Sequence, residues 1–148
     1  MSLAVIRAGI ADRLTNVPGL RSSIWVKGNI SPPTAVVVPG DPSSSGPDGQ
    51  AVTYDGTFGN GCHDYRFLIA VLVSTSHDPS AQRRLDEFLE PVGPHSIKAA
   101  VEAGGLRLDD RADHVRIAAV TQYGIIPWAG IDYLGATLRV EATASVQP

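Results

Sequence analysis

Alternating hydrophobic positions predict two principal β-strands, and the first lies at 65–73. One face of this stretch carries Tyr65, Phe67, Ile69, Val71 and Val73, in the two-residue period of a strand. The other face carries Arg66, Leu68, Ala70, Leu72 and Ser74. Because the centre is apolar on both faces, we expect this strand inside a sheet. Helices would cover one face. Something else, such as a neighbouring subunit, would cover the other face.

The second principal strand is predicted at 133–144, and its two faces differ. One face is apolar and carries Leu134, Ala136, Leu138, Val140 and Ala142. The other is polar and carries Thr137, Arg139, Glu141 and Thr143. This pattern predicts one buried face and one polar face that is free for solvent or a partner.

Shorter strands are expected at 24–26, 35–38, 51–58 and 114–123. A hairpin that turns at 59–61 would join 51–58 to the long strand. The segment 124–130, which contains three breaker residues, is expected to end the strand before it.

Helical spacing predicts an opening helix at 3–16, with Arg7 and Arg13 off an apolar stripe. That stripe consists of Leu3, Ile6, Ile10 and Leu14. A short later helix is expected to run from a Ser96 cap to Ala103, followed by a charged connector at 106–113.

A packing helix is expected directly after the long strand. Asp78 can cap its first free amides, and Pro79 fits the first helical position, where a missing N–H costs nothing. Leu85 and Phe88 follow at helical spacing, and Pro91 ends the run.

The stretch 39–50 contains almost nothing that could be buried, and its prolines and glycines disfavour regular structure. A loop of this length in a compact domain is usually functional or disordered. A projecting arm that orders on a partner and a plain disordered loop both fit the composition.

These elements predict the α+β fold class, with an antiparallel or mixed β-sheet and helices packed on one face. At 148 residues, the chain is expected to form one domain, 1–148, with a flexible loop at about 39–50. A composition of 43% hydrophobic and 18% charged residues indicates a soluble globular protein. No stretch approaches the length needed to cross a bilayer, so no membrane partner is expected.

The sequence contains no recognisable catalytic constellation. We therefore expect that the protein is not an enzyme and that it binds no metal ion and no cofactor. The single cysteine, Cys62, excludes an internal disulfide. Beside it, His63 would point to the opposite face of a strand, so the pair would not normally meet. His77 lies at a strand-to-helix junction, where active sites do occur, but Asp78 is explained by capping. The net charge of -3 argues against a nucleic-acid-binding surface.

The chain resembles the tail terminator proteins of long-tailed (siphovirus-type) bacteriophages, particularly those that infect actinobacteria. The resemblance lies in the order and character of its segments rather than in a strict motif. They are LAVIRAGIADRL, SPPTAVVVPG, YRFLIAVLVSTS, DPSAQRRLDEFLEP, SIKAAVEAG and YLGATLRVEATA.

This resemblance implies a structural virion protein, made in the host cytoplasm and located at the tail neck. It would form a homo-oligomeric, hexameric ring on the head-proximal end of the tail tube, stop tube polymerisation and join the tail to the head. Its implied partners are further copies of itself, the major tail (tube) protein and the head–tail connector protein. DNA would pass through the lumen without specific binding.

The family supplies no individual functional residues, so the expected interface comes from the residue pattern alone. It combines the loop, the strand after it and the polar strand faces. The candidates are Pro39, Asp41, Pro42, Tyr54, Phe58, Arg66, Arg139 and Glu141.

Three alternatives remain open at this point. The first is a head–tail connector or tail-completion adaptor of the same particle. The second is a small enzyme whose site is formed by Cys62, His63 and His77. The third is a ligand-binding domain, which would need a sizeable apolar pocket.

Overall fold

A computed structural model describes residues 3–26, 28–40, 49–54, 62–103 and 114–145. The predicted turn at 59–61, the connector at 106–113 and most of the loop at 39–50 lie outside these ranges. The helices are α1 (Leu3–Leu14), α2 (Pro79–Leu89) and α3 (Ile97–Glu102). The strands are β1 (Arg21–Ser23), β2 (Thr34–Pro39), β3 (Val52–Thr53), β4 (Cys62–Ser74), β5 (His114–Trp128) and β6 (Ile131–Ser145).

The described strands form one six-stranded mixed sheet in the order β1-β2-β4-β6-β5, with β3 also paired to β4. Among the described strands, only β1 and β2 pair in parallel. The predicted α+β class and the central position of the long strand are therefore confirmed. No helix in the described part of the chain is both long and apolar enough to span a bilayer.

The principal core lies between one face of the sheet and the three helices. The apolar stripe of β4 from Tyr65 to Val73 and the even-numbered apolar residues of β6 both belong to it. α1 contributes Ile6, Ile10 and Leu14, and α2 contributes Leu85 and Phe88. The prediction that helices pack on one face is confirmed.

The opposite face of β4 is buried within the single chain. Leu68, Ala70 and Leu72 are only 6%, 3% and 0% exposed. Leu72 forms a second small cluster with Ile126 and Tyr133, against which Ile30 and Trp128 pack. The further cover expected on this face is therefore supplied within the chain itself, and a neighbouring subunit is not required there.

The predicted starts of α2 and α3 are confirmed. Each start is marked by a local capping residue. Asp78 accepts a hydrogen bond of 2.8 Å from the Ala81 amide, with Pro79 in the first turn. Ser96 accepts one of 3.0 Å from the Ala99 amide at the start of α3.

The predicted position of the strand at 24–26 is wrong, because the strand lies three residues earlier. β1 pairs Arg21–Ser23 with β2, and the chain leaves the sheet before Trp25 and Val26. Those two side chains are 62% and 54% exposed. Their β-propensity is overridden because the pairing with β2 begins at Arg21, opposite Thr34, and ends at Ser23.

The break expected at 124–130 is also wrong. β5 continues to Trp128 and forms a hairpin with β6 through Ala129 and Gly130. Both turn residues have positive φ, 51° and 81°, as a two-residue type I′ hairpin turn requires. Alanine is unusual at the first of these positions, so the usual Asn-Gly or Asp-Gly signal is missing.

Candidate assembly surface

The edge of β4 opposite β6 is occupied by two strands in line, which are separated by an insertion. β2 pairs with β4 from Leu72 to Phe67, and β3 pairs with Tyr65 and Asp64. Between them, both backbone groups of Arg66 are used. Its carbonyl oxygen accepts from the Gly40 amide at 2.7 Å, and its amide donates to the Ala51 carbonyl at 2.8 Å. The chain thus leaves and rejoins the sheet at a single residue of β4.

The base of this insertion is tightly closed. Gly40 has a φ of +71°, and a Cβ atom there would lie 2.7 Å from the Gly49 carbonyl oxygen and 3.1 Å from the Ala51 amide nitrogen. No side chain fits in this space without movement of the backbone. Pro39, a candidate interface residue, is the last residue of β2 and pairs with Phe67. Asp41 and Pro42 lie outside the described residues.

The Arg66 side chain supports the same base. Its Nη1 donates to Thr53 Oγ1 at 2.6 Å. Thr53 Oγ1 in turn donates to Gln50 Oε1 at 3.2 Å. Arg66 therefore fixes both ends of the insertion through its backbone and the returning end through its guanidinium.

Glu141 lies at the centre of an arginine cluster on the sheet face opposite the helices. Strand register places it between Arg66 of β4 and Arg116 of β5. Its Oε2 is 3.0 Å from Arg116 Nη2, and its Oε1 is 3.9 Å from Arg139 Nε. Three of the predicted interface residues, Arg66, Arg139 and Glu141, are therefore brought together.

Arg116 belongs to this cluster but was absent from the predicted interface. Its position between the buried residues Val115 and Ile117 places it on the outer face of a strand, and this signal was available in the sequence. Its partner was not, because Glu141 is 25 residues away and their pairing depends on the register between β5 and β6.

The cluster has a local positive excess, although the chain has a net charge of -3. Its three arginines are accompanied by Glu141 and by Asp64, whose Oδ1 accepts a hydrogen bond of 3.4 Å from Thr143. The Arg116 and Glu141 side chains are 54% and 35% exposed, so both can reach a partner. The polar face of β6 is less exposed than predicted, however, because Thr137 is only 5% exposed.

Tyr54 follows β3 and is 75% exposed. Its ring meets the His63 imidazole edge to face, with 5.4 Å between centroids. A large aromatic side chain held in this way at a sheet edge is typical of contact surfaces. Phe58, the other aromatic candidate, lies outside the described residues.

The enzyme alternative finds no geometric support among its proposed residues. Cys62 and His63 are consecutive in β4 and therefore point to opposite faces. His77 follows the far end of that strand, which is about 40 Å long at the usual rise per residue. The described residues contain no cluster of three His, Cys, Asp or Glu side chains that could hold a metal ion.

The ligand-binding alternative requires an apolar pocket. A cleft of about 420 Å³ lies where α2 begins, but Ser74, Thr75, Asp78, Ser80 and Arg84 make much of its wall polar. An open apolar hollow of about 350 Å³ near the β5–β6 turn is formed by Val26, Gly28 and residues 127–129. Neither has the enclosed apolar form that typifies a small-molecule site.

Comparison of the sequence with models of known protein families gave no match. Comparison with curated proteins likewise gave none.

Proposed function

We propose that this protein is the tail terminator of a long-tailed bacteriophage. It would form a ring, most simply a hexamer, on the head-proximal end of the tail tube, where it stops tube polymerisation and offers the surface that joins the head connector. It acts by contact rather than catalysis.

The observation that carries this proposal is the insertion at the split edge of β4. A long polar segment leaves the sheet at Gly40 and returns at Ala51, and both ends are fixed on Arg66. β2 and β3 pair with β4 directly on either side of Arg66. A long polar segment whose two ends are held at one residue of the sheet is suited to contact a neighbouring subunit or the tube.

The arginine cluster provides a second contact surface beside this base. Arg66 belongs to both features, so a partner that meets the insertion also comes near Glu141 and Arg116. Exposed charges of this kind fix the register between partners and add little affinity by themselves. The net charge of -3 suits a ring through which DNA passes without being retained.

The proposal is tested by the mass of the purified protein in solution, with and without tubes of the major tail protein. We expect rings to form on tube ends, or in solution, and tube growth to stop when the protein is added. A protein that stays monomeric and does not alter tube growth would contradict the proposal. Binding to the head connector with no effect on tubes would instead identify a head–tail adaptor.

The role of the insertion is tested separately by replacing Asp41–Gly49 with two glycines. Gly40 and Ala51 already lie close together, so a short bridge should leave the sheet intact. We expect the variant to fold with an unchanged unfolding midpoint but to lose ring formation or control of tube length. Val92→Glu, at a position 75% exposed between α2 and α3, is the control that should retain both. If the shortened variant also retains both, the insertion is not the contact.

A further inference from the structure

Strand β5 presents an exposed apolar stripe on the side of the sheet that carries the helices. Val120, Tyr123 and Ile125 are 45%, 51% and 65% exposed. Their partners on β6 are Leu138, Ala136 and Leu134, which all belong to the principal core. Residues opposite each other in an antiparallel pair share a face, so the stripe extends the core surface beyond the area that the helices cover.

β5 is also the last strand in the sheet order, and no described strand pairs with its outer edge. Two register shifts interrupt its pairing with β6, between Ile117 and Ala119 and between Val120 and Gln122. From Gln122 to Trp128 the pairing is regular. A long edge of this kind is a template for another strand unless it is protected.

The other edge of the sheet is formed by β1, which has only three residues. Near it lies Trp25, 62% exposed, with the Arg7 guanidinium 5.0 Å from its ring centre. The Nε of Arg7 also donates to the Val37 carbonyl of β2 at 3.2 Å. Trp25 is therefore in contact with Arg7 of α1 at this edge and remains largely exposed.

The two edge strands lie in the same rows of the sheet and run in opposite directions. Following the register across the sheet, Ser22 aligns in turn with Ala35, Val71, Ala136 and finally Tyr123. The same pairings make β1 antiparallel to β5. Two copies placed side by side in the same orientation would thus bring β1 of one against the regular part of β5 of the other, as antiparallel strands.

Charge at the two edges is complementary. Asp86 of α2 lies beside the stripe and accepts a hydrogen bond of 2.7 Å from Tyr123. At the opposite edge, Arg7 of α1 and the exposed Arg21 of β1 carry positive charge. A symmetric contact between two β5 strands would oppose the two Asp86 carboxylates and leave Trp25 uncovered.

We propose that β5 of one copy docks along the β1 edge of the next, with the Val120–Tyr123–Ile125 stripe facing Trp25 and Asp86 facing the arginines. This assignment rests on the proposed ring, because it names the two edges that meet there. Since the two surfaces differ, the contact is head-to-tail and repeats from copy to copy until the ring closes.

The first test compares two substitutions at exposed apolar positions. Ile125→Glu puts a charge into the stripe, and we expect it to weaken ring formation by roughly tenfold or more. Val92→Glu introduces the same charge in the link between α2 and α3, outside both edge strands, and should leave ring formation unchanged. Equal ring formation by the two variants would overturn the assignment.

The second test uses cysteine pairs in a Cys62→Ser background. Ser23 and Gln122 align in the same row of the sheet, but in one copy four strand spacings, about 19 Å, separate them. A disulfide tolerates Cα separations of up to about 7 Å, so Ser23→Cys and Gln122→Cys can be linked only between copies. We expect oxidation of the double variant to give a ladder of linked chains that ends at the ring, and neither single variant to be linked.

The outcomes separate this inference from the proposed function. If the Cys62→Ser protein forms rings but the double variant gives no ladder, the edges are wrongly assigned and the ring remains. If Gln122→Cys alone gives dimers, the contact is symmetric and the assignment fails. If the protein forms no rings even with tail tubes, both proposals fail together.

Discussion

Arg13 and Val101 are joined by a buried hydrogen bond of 2.8 Å, from the guanidinium Nη1 to the carbonyl oxygen. The same nitrogen also donates to the Ala103 carbonyl just beyond α3. The last carbonyls of a helix have no partner within the helix, and here α1 supplies one from 88 residues away. Arg13 is only 6% exposed, which contradicts its predicted position off the buried stripe.

Replacement of this arginine should destabilise the protein strongly. We expect Arg13→Ala to lower the free energy of unfolding by about 3 kcal/mol, because it leaves buried carbonyls unsatisfied. Urea unfolding measures this loss. Arg83→Ala, at an exposed position on α2, should cost less than about 0.5 kcal/mol. Equal midpoints for the two variants would show that water replaces the guanidinium.

Gly135 allows β4 and β6 to approach each other closely. A Cβ atom at this position would lie 2.2 Å from the Val71 carbonyl oxygen, which belongs to the backbone and cannot rotate away. We expect Gly135→Ala to lower the free energy of unfolding by about 3 kcal/mol. Gly28→Ala is the control, since its Cβ would meet nothing closer than 3.8 Å. A mild effect at Gly135 would mean that the two strands can separate slightly without loss of pairing.

The sequence predicted the parts of this fold whose signals are local. Asp78 and Ser96 mark their helix starts by residue type and spacing, and simple alternation assigns the faces of β4 and β6. In β5 the breaker residues Gly124 and Pro127 predicted an end at 123, but the pairing with β6 continues through both of them to Trp128.

The candidate site was less predictable because it depends on register. Arg66, Arg139 and Glu141 were each recognisable as polar residues on strand faces. Their meeting at one point follows from the pairing of β4, β5 and β6, and residues 66 and 141 are 75 positions apart. The split edge at Arg66 was hidden for the same reason, because nothing near Gly40 or Ala51 in the sequence indicates a shared partner.

The Asp78 cap should make stability depend on pH in the acid range. Hydrogen bonds from the Ala81 amide and then from the Ser76 hydroxyl hold the pKa of the Asp78 carboxyl below its usual value of 3.8. A lowered folded-state pKa means that the carboxylate stabilises the fold above pH 3.8 and that this contribution is lost as the pH falls through the folded-state value.

Asp78→Asn isolates this effect, because asparagine also caps helices but does not titrate. We expect the wild type to be the more stable protein at neutral pH, where its negative charge also favours the helix N-terminus. The difference between the two urea midpoints should shrink as the pH is lowered below 3.8. A difference that stays constant down to pH 2 would contradict an ionised cap.

Substitution at Gly40 tests whether the base of the insertion matters for the proposed assembly. Gly40 shares a positive φ with Gly19, +71° against +75°, so alanine is strained at both positions by roughly 1–2 kcal/mol. At Gly19 the nearest atom to a new Cβ is the mobile end of Arg84, at 3.4 Å, whereas at Gly40 it is the Gly49 carbonyl oxygen at 2.7 Å. We expect Gly40→Ala to cost about 1–3 kcal/mol more than Gly19→Ala, because the backbone must move.

That movement pulls the Gly40 amide away from the Arg66 carbonyl. If the insertion is the contact, ring formation measured by sedimentation should fall more for Gly40→Ala than for Gly19→Ala under conditions where both variants are folded. Equal ring formation by the two folded variants would separate the base of the insertion from assembly.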